Sequence, residues 1–120
     1  MSFLGMLFSV IVGIGGAPVQ IENCQVVDAA MLSIECSVTN LKEVAISQIR
    51  FTYSASDPSR TIPWIEGDRG VRSFSGGIEP KEKIREFFSL GRLSSRAATE
   101  NLLIEITEIT AYGPDGESLN

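Results

Sequence analysis

The sequence predicts an all-β fold, an antiparallel β-sandwich of six to seven strands that follows an N-terminal hydrophobic leader. Beyond the leader, apolar residues recur at every second position in short runs, which is the pattern of strands with one buried face. Turn-forming residues separate these runs at intervals of about 8–12 residues, the spacing typical of a sandwich or a barrel. No segment past the leader repeats apolar residues at helical spacing over three turns.

The N-terminal leader is predicted to be a secretory signal peptide. Residues 1–21 are uncharged, and the apolar run Phe3–Ile14 has the length expected for a signal-peptide core. Small residues follow this run, and we expect cleavage after Gly16. This gives a signal peptide over residues 1–16 and a single β-sandwich domain over residues 17–120.

An uncleaved membrane anchor is the alternative interpretation of the leader. The first basic residue is Lys42, whereas a secretory signal usually opens with Lys or Arg. The uncharged stretch also nearly reaches the ~20 apolar residues that a membrane-spanning helix needs. Its four glycines and one proline weaken a helix of that kind.

The first half of the domain contains the strands with the strictest alternation. In Leu32–Val38 every second residue is apolar and the residues between are Ser, Glu and Ser, so one face is apolar and the other polar. The same pattern places Ile49, Phe51 and Tyr53 on one face. The predicted elements are the strand Val19–Val27, the turn Asp28–Ala30, the strand Leu32–Val38, the turn Thr39–Lys42 and the strand Ala45–Tyr53.

The second half of the domain is divided by glycine and proline into shorter elements. Pro63 cannot donate a ladder hydrogen bond, so its segment is predicted at a sheet edge or a bulge. Near Thr107 we expect a bulge, because a bulge returns Ile109 and Ala111 to the buried face. The predicted elements are the strand Thr61–Ile65, the loop Glu66–Gly70, the strand Val71–Phe74, the turn Ser75–Gly77, the strand Ile84–Leu90, one helical turn in Ser94–Glu100, the strand Leu102–Ile106 with its continuation past Thr107, and the turn Gly113–Gly116.

The segment Ile34–Tyr53 resembles the core of FxLYD-type domains, in which a strand, a Val-x-Asn turn and a strand ending in aromatic residues follow one another. Gly77–Glu82, which precedes an aromatic strand, and the closing strand to Tyr112 are similar to the same layout. Two positions depart from the family pattern: Phe51–Ser54 lacks Leu-Tyr-Asp, and Lys81 stands where a Pro-Gly-Glu turn has glycine. The resemblance implies a small immunoglobulin-like antiparallel β-sandwich of an exported bacterial protein. Family members share no catalytic activity, so it implies little about role.

The composition argues against several classes of function. Fifteen acidic residues against ten basic ones give a net charge of −5, whereas a protein that binds phosphate backbones needs a basic face. The chain has no histidine, which is the commonest acid–base residue and metal ligand. Two cysteines alone do not form a structural zinc site. We expect no nucleic acid partner, no catalytic residues, no metal and no cofactor.

Cys24 and Cys36 fall opposite each other if the strands Val19–Val27 and Leu32–Val38 form a hairpin. Directly opposed residues bring their Cβ atoms to about 4.5–5.5 Å, close to the distance that a disulfide requires. In an exported protein we expect a disulfide between them. The alternative is a pair of free, buried thiols, since cysteine packs as a small core residue.

Trp64 is the single tryptophan, and Arg60, Arg69 and Arg72 lie close to it in the sequence. These four residues are the candidate protein-contact group, because Trp and Arg dominate the energetics of protein interfaces. The alternative is a core tryptophan that fills one end of the sandwich.

Together these observations predict a non-enzymatic interaction module, located in the periplasm or outside the cell, whose partner is another protein. A membrane is a partner only if the leader is uncleaved. In that case the chain is a membrane-tethered accessory subunit of the inner membrane.

Overall fold

The structure, a computed structural model, describes residues 8–12, 17–28, 31–91 and 102–119. Within these ranges the chain forms strands and no helix, which confirms the predicted all-β fold. The helical turn predicted for Ser94–Glu100 lies outside the described residues. The strands are β1 Phe8–Val12, β2 Val19–Asp28, β3 Ser33–Asn40, β4 Ile46–Ser56, β5 Ile65–Ile78, β6 Lys83–Ser89 and β7 Leu102–Tyr112.

The strands form two sheets with the hydrophobic core between them. One sheet is antiparallel and has the order β2-β3-β6. The second has the order β1-β7-β4-β5, in which β7, β4 and β5 are antiparallel and β1 runs parallel to β7. Phe51 of β4 and Phe88 of β6 meet in the core, edge to face, with their ring centroids 5.7 Å apart. The predicted β-sandwich is therefore confirmed.

Alternation along each strand decides which side chains enter this core. Every second residue of β3 is buried, and the residues between are partly exposed. β4 has the same pattern from Ile49 onward, as the sequence predicts. The fully buried side chains of these two strands include Ile34, Cys36, Val38, Asn40, Ile46, Ile49 and Ala55.

β7 keeps its apolar face through a bulge. Its register with β4 shifts between Thr107 and Thr110, and Glu108 in this interval has a left-handed φ of 52°. Ile109 and Ala111 consequently return to the core, where they are 7% and 0% exposed. The bulge predicted near Thr107 is confirmed.

β5 differs from the sequence prediction. The sequence predicts a loop over Glu66–Gly70 and a turn at Ser75–Gly77, but both segments belong to one continuous strand that pairs with β4. Gly76 and Gly77 have φ values of 78° and 77° within a register shift, so the two glycines form a bulge inside the strand. The loop and turn predictions are wrong because pairing with β4 overrides the local turn preference. The predicted strand Thr61–Ile65 is also wrong, since only its last residue enters β5.

Asn40, the last residue of β3, joins three parts of the chain. It is fully buried, and its Nδ2 donates hydrogen bonds of 2.9 Å to the carbonyl oxygens of Val44 and Ile78. Its Oδ1 accepts a 2.7 Å hydrogen bond from the Lys42 N–H. Its backbone carbonyl accepts from the N–H of Lys81, whose φ of 67° is the left-handed conformation that glycine favours. Asn40 thus acts here through its side chain. The turn predicted over Thr39–Lys42 starts only after Asn40, because Thr39 and Asn40 belong to β3.

β1 lies within the segment predicted to be the leader. Phe8 is in register with Leu102 and Val12 with Ile106, so the strand lies along the first half of β7. Cleavage after Gly16 would separate β1 from the sheet, and that cleavage stays a prediction. Among the described residues, no helix is long and apolar enough to cross a membrane.

Candidate protein-contact surface

The loop over residues 57–64, which connects β4 to β5, is fixed at both ends by hydrogen bonds. Asp57 is buried, and its Oδ1 accepts from both the backbone N–H and the hydroxyl of Ser59, each at 2.8 Å. The Arg60 N–H donates to the Asp57 carbonyl at 2.9 Å. At the other end, the Trp64 N–H donates to the Ala55 carbonyl at 2.9 Å. The loop therefore has a defined conformation outside the sheets.

Within this loop, the side chain of Arg60 stacks on the indole of Trp64. The guanidinium carbon lies 3.5 Å from the ring centroid, which is a close cation–π contact. Arg60 Nε also donates to the Ile62 carbonyl at 3.3 Å. A guanidinium stacked on a ring keeps its N–H donors in its own plane, where they can meet a carboxylate.

Trp64 lies between the hydrophobic core and the surface of the loop. Its ring packs against the hydrophobic core and is partly buried, as expected for a tryptophan that fills one end of the sandwich. Its stacking with Arg60 connects it to the surface of the loop. Ile62, between them in the chain, is 70% exposed, the largest exposure among the large hydrophobic side chains of the described residues. The sequence does not single out Ile62, because nothing local distinguishes an exposed isoleucine from a buried one.

Arg72 lies apart from this loop and makes intramolecular contacts. It is on the inward side of β5, between Gly70 and Phe74, and its guanidinium forms a salt bridge with Glu86 of β6. Its Nε donates to the Phe87 carbonyl at 2.9 Å, and its Nη1 donates to the Ser73 carbonyl at 2.6 Å. Arg72 therefore links the edges of the two sheets.

Arg69 is the third predicted arginine, and it points away from the core. It is exposed, in register with Thr52 of β4, on the opposite face of β5 from Arg72. Of the four predicted contact residues, the structure brings together only Arg60 and Trp64. The sequence grouped Arg69 and Arg72 with them because the four residues are close along the chain.

The disulfide between Cys24 and Cys36 joins β2 to β3, as the hairpin predicts. Cys36 is fully buried, and Cys24 is partly buried against the core. The register of β2 with β3 shifts between Glu22 and Gln25, and Asn23 has a left-handed φ of 54°, so Cys24 lies in a bulge opposite Cys36. The bridge is a structural element of this sheet.

The described residues contain no group of three or more Cys, Asp or Glu side chains arranged to hold a metal ion. Tyr53, a core residue of β4, has a shifted phenol pKa. Burial raises the pKa of its phenol above the usual value, and Asp68, its cross-strand neighbour on β5, raises it further. Comparison of the chain with protein-family models, curated proteins and solved structures found no match.

Proposed function

We propose that this chain is a non-enzymatic, exported β-sandwich module that binds another protein through the loop over residues 57–64. The observation that supports this proposal is the exposed Ile62 beside the stacked pair of Arg60 and Trp64. Trp and Arg are the residue types enriched at the energetic centres of interfaces. The hydrogen bonds at both ends of the loop reduce the conformational entropy that binding would otherwise cost.

The chemistry of the loop indicates the kind of partner surface. Ile62 requires an apolar pocket, and the guanidinium of Arg60 favours a carboxylate at the rim of that pocket. The acidic net charge of −5 disfavours a nucleic acid in this role. The partner is therefore a protein with an apolar recess and an acidic residue beside it.

The disulfide supports export to the periplasm or to the outside of the cell. Disulfides persist in oxidising compartments and are rare in the reducing cytosol. A bridge between Cys24 and Cys36 fits the uncharged N-terminal segment, whose length and small-residue end are typical of a secretory signal. The second candidate is a membrane-tethered accessory subunit, which the lack of any basic residue before Lys42 favours.

Site-specific photocrosslinking in the host cell tests the binding surface. A photoreactive residue at Ile62 is compared with one at Val71, a hydrophobic residue on β5 that is 59% exposed. We expect a discrete adduct with one protein from position 62, and loss of that adduct when Arg60→Glu is added. Adducts of equal yield at the two positions, or none at position 62, would refute the loop as the binding surface.

The intact mass of the protein recovered from the same cells tests export independently. We expect a mass that lacks residues 1–16 and rises by about 2 Da on reduction, because one disulfide takes up two hydrogens. A full-length mass in the membrane fraction would support the tethered subunit instead.

A further inference from the structure

Exposed edges are the places where a β-sandwich can accept a strand from another chain, since an edge strand presents unpaired N–H and C=O groups. In this structure the edge strands are β1 and β5 in one sheet and β2 and β6 in the other. The features that block strand addition differ among these four edges.

The edges of β5 and β6 are protected by charge. Arg72 on the inward side of β5 pairs with Glu86 on the inward side of β6, and it also hydrogen bonds to the Phe87 carbonyl. Inward-pointing charges of this kind prevent a further strand from extending the core past the edge. The glycine bulge of β5 at Gly76 and Gly77 interrupts the regular edge as well.

The edge of β2 is protected by geometry. A bulge at Asn23 and Cys24 breaks its register, and the disulfide to Cys36 fixes that bulge in place. A bulged strand twists away from the flat geometry that strand addition needs.

The fourth edge is β1, and its removal would expose the first half of β7, which is protected by neither charge nor a bulge. Leu102, Ile104 and Ile106 are buried in the core and alternate along the strand without a bulge or an inward charge. Among the residues that the structure describes, β1 alone covers its outer edge and runs parallel to it from Phe8 to Val12. The covering segment is uncharged, and the chain between β1 and β2 includes three glycines.

We propose that the edge of β7 over Leu102–Ile106 is a strand-accepting site. Phe8–Val12 fills this site in the full-length chain, and a chain cleaved after Gly16 takes up an uncharged, apolar β-strand of a partner protein, parallel to β7, in its place. Loss of β1 would leave the backbone N–H and C=O groups of this half of β7 unpaired beside an apolar core. An added strand pairs these groups and covers the apolar side chains at the same time. This site is separate from the loop over residues 57–64 and does not depend on binding by that loop.

Hydrogen exchange of the full-length chain tests the proposal. Val10→Pro, at the centre of β1, removes an N–H and disfavours strand pairing, while Val10→Thr is the matched control that keeps a β-branched side chain. We expect Val10→Pro to accelerate exchange of alternate amides in Leu102–Ile106 by about tenfold or more, with the remainder of β7 unchanged. Val10→Thr should leave these rates at their original values.

A synthetic peptide supplies the strand in trans. The probe is Phe-Ser-Val-Ile-Val flanked by lysines, and its control has proline at the central position. We expect the probe to bind the Val10→Pro chain and restore slow exchange in Leu102–Ile106, and we expect the control peptide to do neither. Ile62→Asp, added to Val10→Pro, should leave binding of the probe unchanged, which separates this site from the loop.

Three results would overturn the proposal. The first is equal exchange rates in the two Val10 variants. The second is a folded Val10→Pro chain, recognised by the near-ultraviolet circular dichroism of Trp64, that the probe does not protect. If Val10→Pro does not fold alone, refolding with the probe decides: recovery of the native signal supports the site, and no recovery refutes it.

Discussion

Replacement of Asn40 by alanine should destabilise the protein more than its position at the end of a strand suggests. The side chain is fully buried and makes three hydrogen bonds, two through Nδ2 and one through Oδ1. Alanine leaves two carbonyl oxygens and one N–H without these partners. The loop between β3 and β4 and the end of β5 lose the side chain that joins them.

The magnitude follows from where each orphaned group lies. The Ile78 carbonyl is buried, and leaving it unpaired costs about 1–3 kcal/mol. The Val44 carbonyl and the Lys42 N–H are partly buried, so water replaces part of the loss and each contributes about 0.5–1.5 kcal/mol. The expected decrease in the free energy of unfolding is therefore about 2–6 kcal/mol. The total free energy of unfolding of a domain is typically about 5–15 kcal/mol, so this is a large part of it.

Aspartate at the same position gives a second, sharper test, because it has nearly the same shape. Asn40→Asp keeps the acceptor for Lys42 but places a carboxylate oxygen against the carbonyls of Val44 and Ile78. Only the protonated carboxyl can donate to them, so the folded state should raise the pKa of this group above the about 3.9 of an unfolded aspartate. The unfolded chain then loses its proton first as the pH rises, so the penalty of Asn40→Asp is larger at pH 7 than at pH 4.

Urea denaturation of the oxidised protein measures both effects. Gln20→Ala, which removes an exposed amide from β2, is the control and should stay within about 0.5 kcal/mol of the original chain. A decrease below about 1 kcal/mol for Asn40→Ala, at an unchanged dependence on urea, would refute the reasoning. So would a penalty for Asn40→Asp that is the same at the two pH values.

Three further predictions concern single side chains in the core and the turns. Gly70→Ala would place a Cβ 2.4 Å from the ring of Phe51, so we expect a loss of about 1–3 kcal/mol in thermal or urea unfolding, and a smaller loss when Phe51→Leu is also present. The folded state raises the pKa of Tyr53, so the unfolded chain loses its proton first and the free energy of unfolding should fall as the pH rises above about 10. Tyr53→Phe should abolish this decrease, and an identical pH dependence in the variant would contradict the assignment. Lys81→Gly should relieve the strain of the left-handed φ at this position and stabilise the protein by up to about 1 kcal/mol, whereas Lys81→Ala should not. Equal melting temperatures for the two variants would show that the backbone stores no strain there.

Local sequence patterns were sufficient for much of the fold. Strict alternation in β3 and β4 predicted both strands and their buried faces, because one apolar face per strand is a local property. The bulge of β7 followed from the change in alternation near Thr107. The disulfide between Cys24 and Cys36 followed from the symmetry of a short hairpin.

The candidate site was predicted less well, for a physical reason. The sequence grouped Arg60, Trp64, Arg69 and Arg72 because they are near each other along the chain. In the structure, the continuous strand β5 places Arg69 and Arg72 on opposite faces, and only Arg60 meets Trp64. A strand separates successive side chains onto two faces, so proximity in the sequence does not imply a common surface.

Local sequence patterns predicted the fold class, most strands and their buried faces, since each depends on residues close together in the chain. They favoured a bridge between Cys24 and Cys36 over two free thiols, and the structure has the bridge. The tertiary structure decided which turn-like glycines belong to a strand, because pairing with β4 supplies the hydrogen bonds that a local turn would have made. It also decided that Arg72 meets Glu86 across the two sheets and that Asn40 reaches Ile78. Those contacts join residues 14 and 38 positions apart, and the packing of the strands brings such distant residues together.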